Sequence, residues 1–195
     1  PLSPRIKARF AVDEFSQFTG AEMMAKKYGF KREQLDQFAL LSHQRAIQAT
    51  ETGAFENEII ALQTDDEVHR VDEGIRFDAN LESISAVKPL VENGVVTAAN
   101  ASQICDGASA VLIVSERALK AYGLTPKARL VHMSVSAGDP VIMLEEPIFA
   151  TQKALKKAGL KITDIDLYEV NEAFAPVPLA WLQALNANPE ALNIH

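Results

Sequence analysis

Two polar residues, Asn171 and Glu172, stand together directly after a strand-like apolar run at residues 165–170. An apolar segment at residues 177–185 follows and is typical of a helix. A side-chain amide and a carboxylate are costly to bury unless they are paired, and open α/β sheets bind ligands at the carboxyl ends of their strands. The pattern therefore predicts a functional site where the strand meets the helix. A plainer alternative is that Asn171 only caps that helix.

Further apolar patterns predict the elements that would position these residues. Helices are predicted, each followed directly by a glycine, at residues 19–28, 32–52, 116–122 and 147–158. Thr19 and Glu22 resemble a capping box at the start of the first of these helices. Strands are predicted at residues 58–62, 111–114, 128–135 and 165–170. The last strand would close a β-α-β unit. Residues 1–12 contain two prolines and little periodicity, so a loop or arm is expected there.

Composition limits the classes of function. The chain has 195 residues, 48% of them hydrophobic, which is enough for one globular core or two small ones. Its formal net charge of -7 argues against a nucleic-acid surface, and no apolar run approaches the length of a membrane span. The single cysteine excludes an internal disulfide framework, so a cytoplasmic location is expected.

Small residues at positions 97–102 form a second feature with functional potential. Small side chains let a ligand approach the backbone closely, as a narrow tunnel requires, although close packing of a sheet on a helix would select them too. Upstream, Arg70 and Arg76 stand out within an acidic stretch that is expected to be solvated surface. An acidic protein that binds a phosphate-bearing coenzyme must supply cations locally.

Four segments together resemble motifs of the thiolase family. Residues 171–175 are similar to the family's Asn-Glu-Ala-Phe-Ala motif. Residues 94–102 and 106–110 resemble its Gly-Thr-Val-Thr-Ala-Gly-Asn-Ala-Ser and Asp-Gly-Ala-Ala-Ala segments, and Asp139, Pro140 and Met143 match its Asp-Pro-x-x-Met pattern. Thiolases make or cleave 3-ketoacyl-CoA thioesters by Claisen chemistry through a cysteine acyl-enzyme. The resemblance implies that CoA is a substrate or product, with no further cofactor and no metal.

The resemblance also implies roles for individual residues. Asn171 would hold a water that forms an oxyanion hole with a histidine, while Glu172 would orient neighbouring groups. Arg76 and Ser83 would contact the nucleotide end of CoA, although surface charge and a turn hydroxyl are equally open interpretations. Ser102 would hydrogen-bond the pantetheine arm. The tunnel would be lined by Ala98, Ala101 and Ile104, with Phe174 at its acyl end.

Cys105 is the only thiol, but it is not predicted to be the nucleophile. It follows the CoA-binding serine, whereas the family nucleophile lies much earlier on a different loop. A nucleophilic thiol also needs a neighbouring base or a helix N-terminus, and no histidine is close in sequence. Cys105 is therefore expected to be a small structural residue, His43 a solvated helix residue, and His132 a structural strand residue.

The expected fold is α/β and thiolase-like but partial, with a mainly helical loop domain before strands and helices of the αβαβα layers. Residues 1–104 would cover CoA, residues 105–125 would supply the last strand and helix of the N-terminal half, and residues 126–195 would form the first β-α-β of the C-terminal half. The family's nucleophile and base motifs are absent, so a fragment or truncation is expected. The resemblance implies a homo-oligomer, a dimer or tetramer, that binds acyl-CoA. The alternative function is a non-catalytic CoA-binding or partner-completing chain.

Overall fold

The computed structural model describes residues 2–195, and Pro1 lies outside the described residues. Among residues 2–195 the structure has seven α-helices in chain order: α1 Pro4–Phe10, α2 Gln17–Tyr28, α3 Arg32–Glu51, α4 Leu81–Ser85, α5 Glu116–Ala121, α6 Glu146–Ala158 and α7 Pro176–Leu185. Strands β1 (Leu62–Gln63) and β2 (Val68–His69) pair antiparallel, and short 3-10 turns occupy Ile162–Asp164 and Pro189–Ala191. Within residues 2–195, no helix is long and apolar enough to cross a membrane.

The predicted helices are present, with corrections at the N-terminal end of the chain. Helix α1 replaces the expected loop, because Ser3 Oγ accepts from the Ile6 N–H at 3.3 Å and a proline suits the first helical turn. Helix α2 is capped by Ser16, whose Oγ accepts from the Thr19 N–H at 3.5 Å. The predicted capping box of Thr19 and Glu22 is therefore wrong.

Of the four predicted strands, residues 58–62 overlap β1 at Leu62 alone, and the other three are not formed. Among residues 2–195 the only sheet is the β1–β2 pair, and residues 111–114, 128–135 and 165–170 have no assigned strand. A strand depends on a hydrogen-bonded neighbour, which these segments lack here, apart from an isolated parallel bridge between Tyr168 and Leu192. The predicted burial of residues 111–114 is wrong as well, since Val111 is 83% exposed.

One hydrophobic core joins α2, α3 and α7 to residues 95–101 and 168–175. Its buried members include Met24, Leu35, Val96, Trp181 and Leu192. The Trp181 Nε1–H donates to Thr151 Oγ1 at 2.9 Å and so ties α7 to α6. Helix α2 carries Gly20 where a Cβ would lie 2.7 Å from the Ile142 carbonyl oxygen. Only glycine permits that close approach.

A buried carboxylate links α2 to the start of α6. Glu145 accepts hydrogen bonds from Lys27 Nζ at 2.9 Å and from the Tyr28 hydroxyl at 2.5 Å. Burial and the bond to Glu145 raise the pKa of Tyr28 to about 12. Burial alone would raise the pKa of Glu145, but the bonds from Lys27 and Tyr28 outweigh it and hold that pKa below its usual value. The interaction joins elements more than a hundred residues apart.

Candidate functional site

The small-residue segment at residues 97–102 and the Asn-Glu-Ala-Phe-Ala segment at residues 171–175 lie in contact. The Ser102 N–H donates to the Ala173 carbonyl at 3.0 Å, and the Ala175 N–H donates to the Asn100 carbonyl at 2.9 Å. Ala101 and Phe174 form an antiparallel bridge between these bonds. Segments about 70 residues apart in the chain therefore form one continuous wall.

That wall bounds a pocket of about 530 Å³. Helix α3 contributes Phe38, Ala39 and Ser42, and residues 98–103 contribute the small side chains opposite. The pocket has a mixed apolar and polar surface and an arginine at its edge. Such a lining suits an elongated ligand that has both apolar and charged parts.

The structure brings six of the nine predicted site residues to this pocket: Arg76, Ser83, Ala98, Ala101, Ser102 and Glu172. The other three lie elsewhere. Ile104 is fully exposed outside the wall, where the chain leaves the packed region. Phe174 is 5% exposed because its ring belongs to the core, edge-on to Phe18 at 5.7 Å. The expectation that Ile104 and Phe174 line this pocket is therefore not met.

Asn171 is exposed and is not part of the pocket wall. It does not cap α7, since the cap residue is Ala175 and no side chain accepts a hydrogen bond there. The helix-capping alternative is therefore wrong. Asn171 lies one residue before Glu172, which does line the pocket.

A buried ion pair anchors α3 beside the pocket. The Asp36 side chain is 1% exposed, and Arg32 Nε lies 2.6 Å from its Oδ2. Arg32 Nη2 also donates to three carbonyl oxygens around the end of α4, those of Ile84, Ser85 and Val87, at 2.8 to 3.1 Å. Because Ile84 and Val87 line the pocket, this pair fixes one side of it.

Asn100 extends the same network into the small-residue wall. Its Nδ2 donates to Asp36 Oδ1 at 3.0 Å and to the Val95 carbonyl at 3.1 Å, while its Oδ1 accepts from the Thr97 N–H at 2.8 Å. Both Asn100 and Thr97 are buried. Residues 95–100 are further held by Glu22, which accepts from the N–H groups of Val95 and Val96. The wall is therefore rigidly positioned by buried polar groups.

Glu172 is held from two directions at the pocket. Its Oε2 accepts from the Ser42 hydroxyl at 2.6 Å and its Oε1 accepts from Asn193 Nδ2 at 2.8 Å. The carboxylate thus links α3 to the C-terminal end of the chain.

Sequence reasoning missed His43, which lines the pocket and is half-buried. Its Nδ1 accepts from the Arg76 N–H at 3.3 Å. Burial and the positive charge of Arg76 lower the pKa of His43, against the opposing effect of Glu172. The signal that could have revealed it is its position four residues after Ala39, which places both on one helix face.

Ser83, Cys105 and His132 are the other residues that the sequence singled out. Ser83 lies in the first turn of α4, where its N–H donates to Asn80 Oδ1 and its hydroxyl donates to the Asn80 carbonyl, both at 2.9 Å. Cys105 is exposed at the edge of the pocket. His132 is half-buried, and its Nε2 has no hydrogen-bond partner among residues 2–195.

Two family models match the chain. The model described as "Thiolase, N-terminal domain" matches residues 10–117, and the one described as "Thiolase, C-terminal domain" matches residues 124–195. The chain belongs to the thiolase family. Its fold is accordingly a partial thiolase fold of the α/β class, as the motifs predicted.

Individual thiolases are similar over most of the chain. The steroid 3-ketoacyl-CoA thiolase FadA6 of Mycobacterium tuberculosis is 52% identical over 95% of this chain and 45% of its own length. The crystal structure of human mitochondrial 3-ketoacyl-CoA thiolase in complex with CoA superposes with a TM-score of 0.88 at 42% identity, covering 90% of this chain and 45% of that one. The Bacillus anthracis acetyl-CoA acetyltransferase gives a TM-score of 0.88 at 36% identity, covering 94% and 48%. The chain therefore spans about half the length of the relatives it matches.

Proposed function

We propose that the polypeptide carrying this sequence is an acyltransferase that forms or cleaves 3-ketoacyl-CoA thioesters by Claisen condensation or thiolysis. The observation that carries the proposal is the meeting of residues 97–102 and 171–175 at one pocket. The similarity of this chain to proteins named 3-ketoacyl-CoA thiolase supports the proposal. The acyl group would be carried by a cysteine nucleophile that lies outside residues 1–195.

The pocket would hold CoA along its length. Arg76, exposed at the rim, would pair with phosphate at the nucleotide end, and Ser83 would offer a hydroxyl there. The flat wall of Ala98, Ala101 and Ser102 would accept the pantetheine arm, with the Ser102 hydroxyl as a hydrogen-bond partner. His43, whose lowered pKa favours the neutral ring, would add a polar contact without a second positive charge. Residues 1–104 would thus be the unit that covers CoA, followed by residues 105–125 and 126–195 as parts of the two thiolase halves.

Asn171 would act where negative charge develops. Removing a proton from the carbon beside a thioester carbonyl places charge on the thioester oxygen, and donors fixed in advance stabilise it. The exposed Asn171 amide would hold a water aimed at that oxygen, while a histidine outside this chain would supply the other donor. Glu172, fixed by Ser42 and Asn193, would keep residues 170–172 in place.

The test is a thiolysis assay on a polypeptide of thiolase length that contains this sequence. Asn171→Ala should lower kcat by roughly 10²–10³ with little change in KM, as loss of other oxyanion donors does. Asn186→Ala, at an exposed asparagine that ends α7, is the control. Activity of the Asn171 variant within a factor of about two of the parent would remove Asn171 from the mechanism. The cytoplasmic location and the homo-oligomeric state are part of the same proposal.

A further inference from the structure

The C-terminal end of the chain is bound to the motif that contains Asn171. Asn193 is 7% exposed and has a φ of 45°, in the left-handed region that asparagine tolerates better than most residues. Its backbone N–H donates to the Tyr168 carbonyl at 2.9 Å. Arg45 of α3 donates to the carbonyl oxygens of Leu192 and Asn193 at 2.7 and 3.2 Å. Asn193 is therefore fixed both to the core helix and to residues 168–172.

The Asn193 side chain pairs with the backbone of Val170 as a neighbouring strand would. Its Oδ1 accepts from the Val170 N–H and its Nδ2 donates to the Val170 carbonyl, each at 2.8 Å. A side-chain amide carries the same donor and acceptor as a peptide group, so it can satisfy both backbone groups of one residue. Such pairing fixes the residue that directly precedes Asn171.

The same amide also fixes the residue after Asn171. Asn193 Nδ2 donates to Glu172 Oε1 at 2.8 Å, and Ser42 holds the other carboxylate oxygen at 2.6 Å. Val170 and Glu172 are thus both restrained by one buried side chain, while the Asn171 side chain between them stays exposed. A displacement of either neighbour would move the Asn171 amide.

We propose that Asn193 is a positioning residue for Asn171, which it aligns through Val170 and Glu172 with the help of Ser42. The inference rests on the proposed function, since it concerns the same reaction. Asn193 does not touch the reacting atoms. Its effect is on where the Asn171 amide points, and a misplacement of about 1 Å is enough to cost roughly 10² in rate.

The decisive variant is Asn193→Asp in a polypeptide of thiolase length that contains this sequence. It preserves shape but places an acceptor against the Val170 carbonyl and the Glu172 carboxylate, where Nδ2 had donated. We expect kcat to fall roughly 10²-fold while KM for CoA changes little. Asn186→Asp is the matched control, because Asn186 also has a positive φ of 49° but is exposed, and it should leave kcat unchanged.

A double-mutant cycle separates positioning from a merely structural role. In an Asn171→Ala background, Asn193→Asp should cause no further loss of kcat, because the group that it aligns is gone. If the two losses multiply instead, or if KM for CoA rises with the fall in kcat, the inference is overturned. If Asn171→Ala itself leaves kcat unchanged, the proposed catalytic role of Asn171 is refuted. That result differs from multiplying losses, which refute only the positioning role of Asn193.

A milder pair of variants covers the case in which Asn193→Asp does not fold. Ser42→Ala removes one donor from Glu172 without touching the backbone, and Ser42→Thr keeps the hydroxyl. Positioning predicts a lower kcat for Ser42→Ala that vanishes in the Asn171→Ala background, with recovery in Ser42→Thr. Equal kcat values for the parent and Ser42→Ala would contradict the proposed route through Glu172.

Discussion

Replacing Asp36 by alanine should be among the most destabilising single changes in this chain. The Asp36 side chain is 1% exposed and carries the ion pair with Arg32 and a hydrogen bond from Asn100. Removing the carboxylate leaves Arg32 Nε, on a side chain only 21% exposed, without its acceptor. It also leaves the buried Asn100 Nδ2 with the Val95 carbonyl as its remaining acceptor. Breaking a buried pair in this way typically costs about 3–5 kcal/mol of unfolding free energy.

The chain offers a matched control for that change. Glu116 and Lys120 form an ion pair of the same i,i+4 spacing at 2.7 Å, but their side chains are 78% and 75% exposed. Pairs of this kind contribute only about 0.3–0.5 kcal/mol. The free energy of unfolding of Asp36→Ala and Glu116→Ala would be compared by equilibrium urea denaturation at one protein concentration, with the slopes checked for equality. Equal losses in the two variants would refute the assignment of Asp36 as the buried anchor of the pocket wall.

Two further predictions concern acid stability and association. Because the folded pKa of Glu145 is lowered, its contribution to stability is present above its ordinary value of 4.5 and lost as pH falls below it. Stability of the parent should therefore decline more steeply between about pH 5 and 3 than that of Glu145→Gln, and parallel curves from urea denaturation would contradict this. The 195-residue chain alone should associate, because apolar residues such as Val111 and Val135 are each 83% exposed. Size exclusion with light scattering checks this, and a monodisperse monomer of 21.3 kDa would count against it.

Local sequence signals were sufficient for the longer helices. Helix α3 was predicted within a residue of its bounds from its apolar face, and α6 ends where Gly159 adopts a φ of 71°. The information for these elements lies within a few residues of chain. Ser16 was missed as the cap of α2 because Thr19 and Glu22 fit the same short pattern. Glu22 instead accepts a hydrogen bond from the distant Val96 N–H.

Strands and side-chain surroundings depended on distant parts of the chain. Residues 111–114 have the apolar run of a buried strand, but strand formation requires a hydrogen-bonded neighbour that no local pattern supplies. The pocket residues Arg76, Ser83 and Ser102 were predicted from motif resemblance, whereas the partners of Glu172 were not, because Ser42 and Asn193 lie 130 and 21 residues away. Phe174 was predicted in a tunnel but packs in the core beside Phe18.

A calorimetric titration of CoA tests the central claim most directly. The experiment compares the parent with Arg76→Ala and Arg70→Ala, since both arginines are exposed and within one acidic stretch but only Arg76 lines the pocket. Loss of a hydrogen bond to a charged group predicts an affinity roughly 10-fold to 100-fold weaker for Arg76→Ala. Arg70→Ala should bind as the parent does. Equal weakening in both variants, or no CoA binding by the parent at about millimolar concentration, would contradict the assignment of this pocket to CoA.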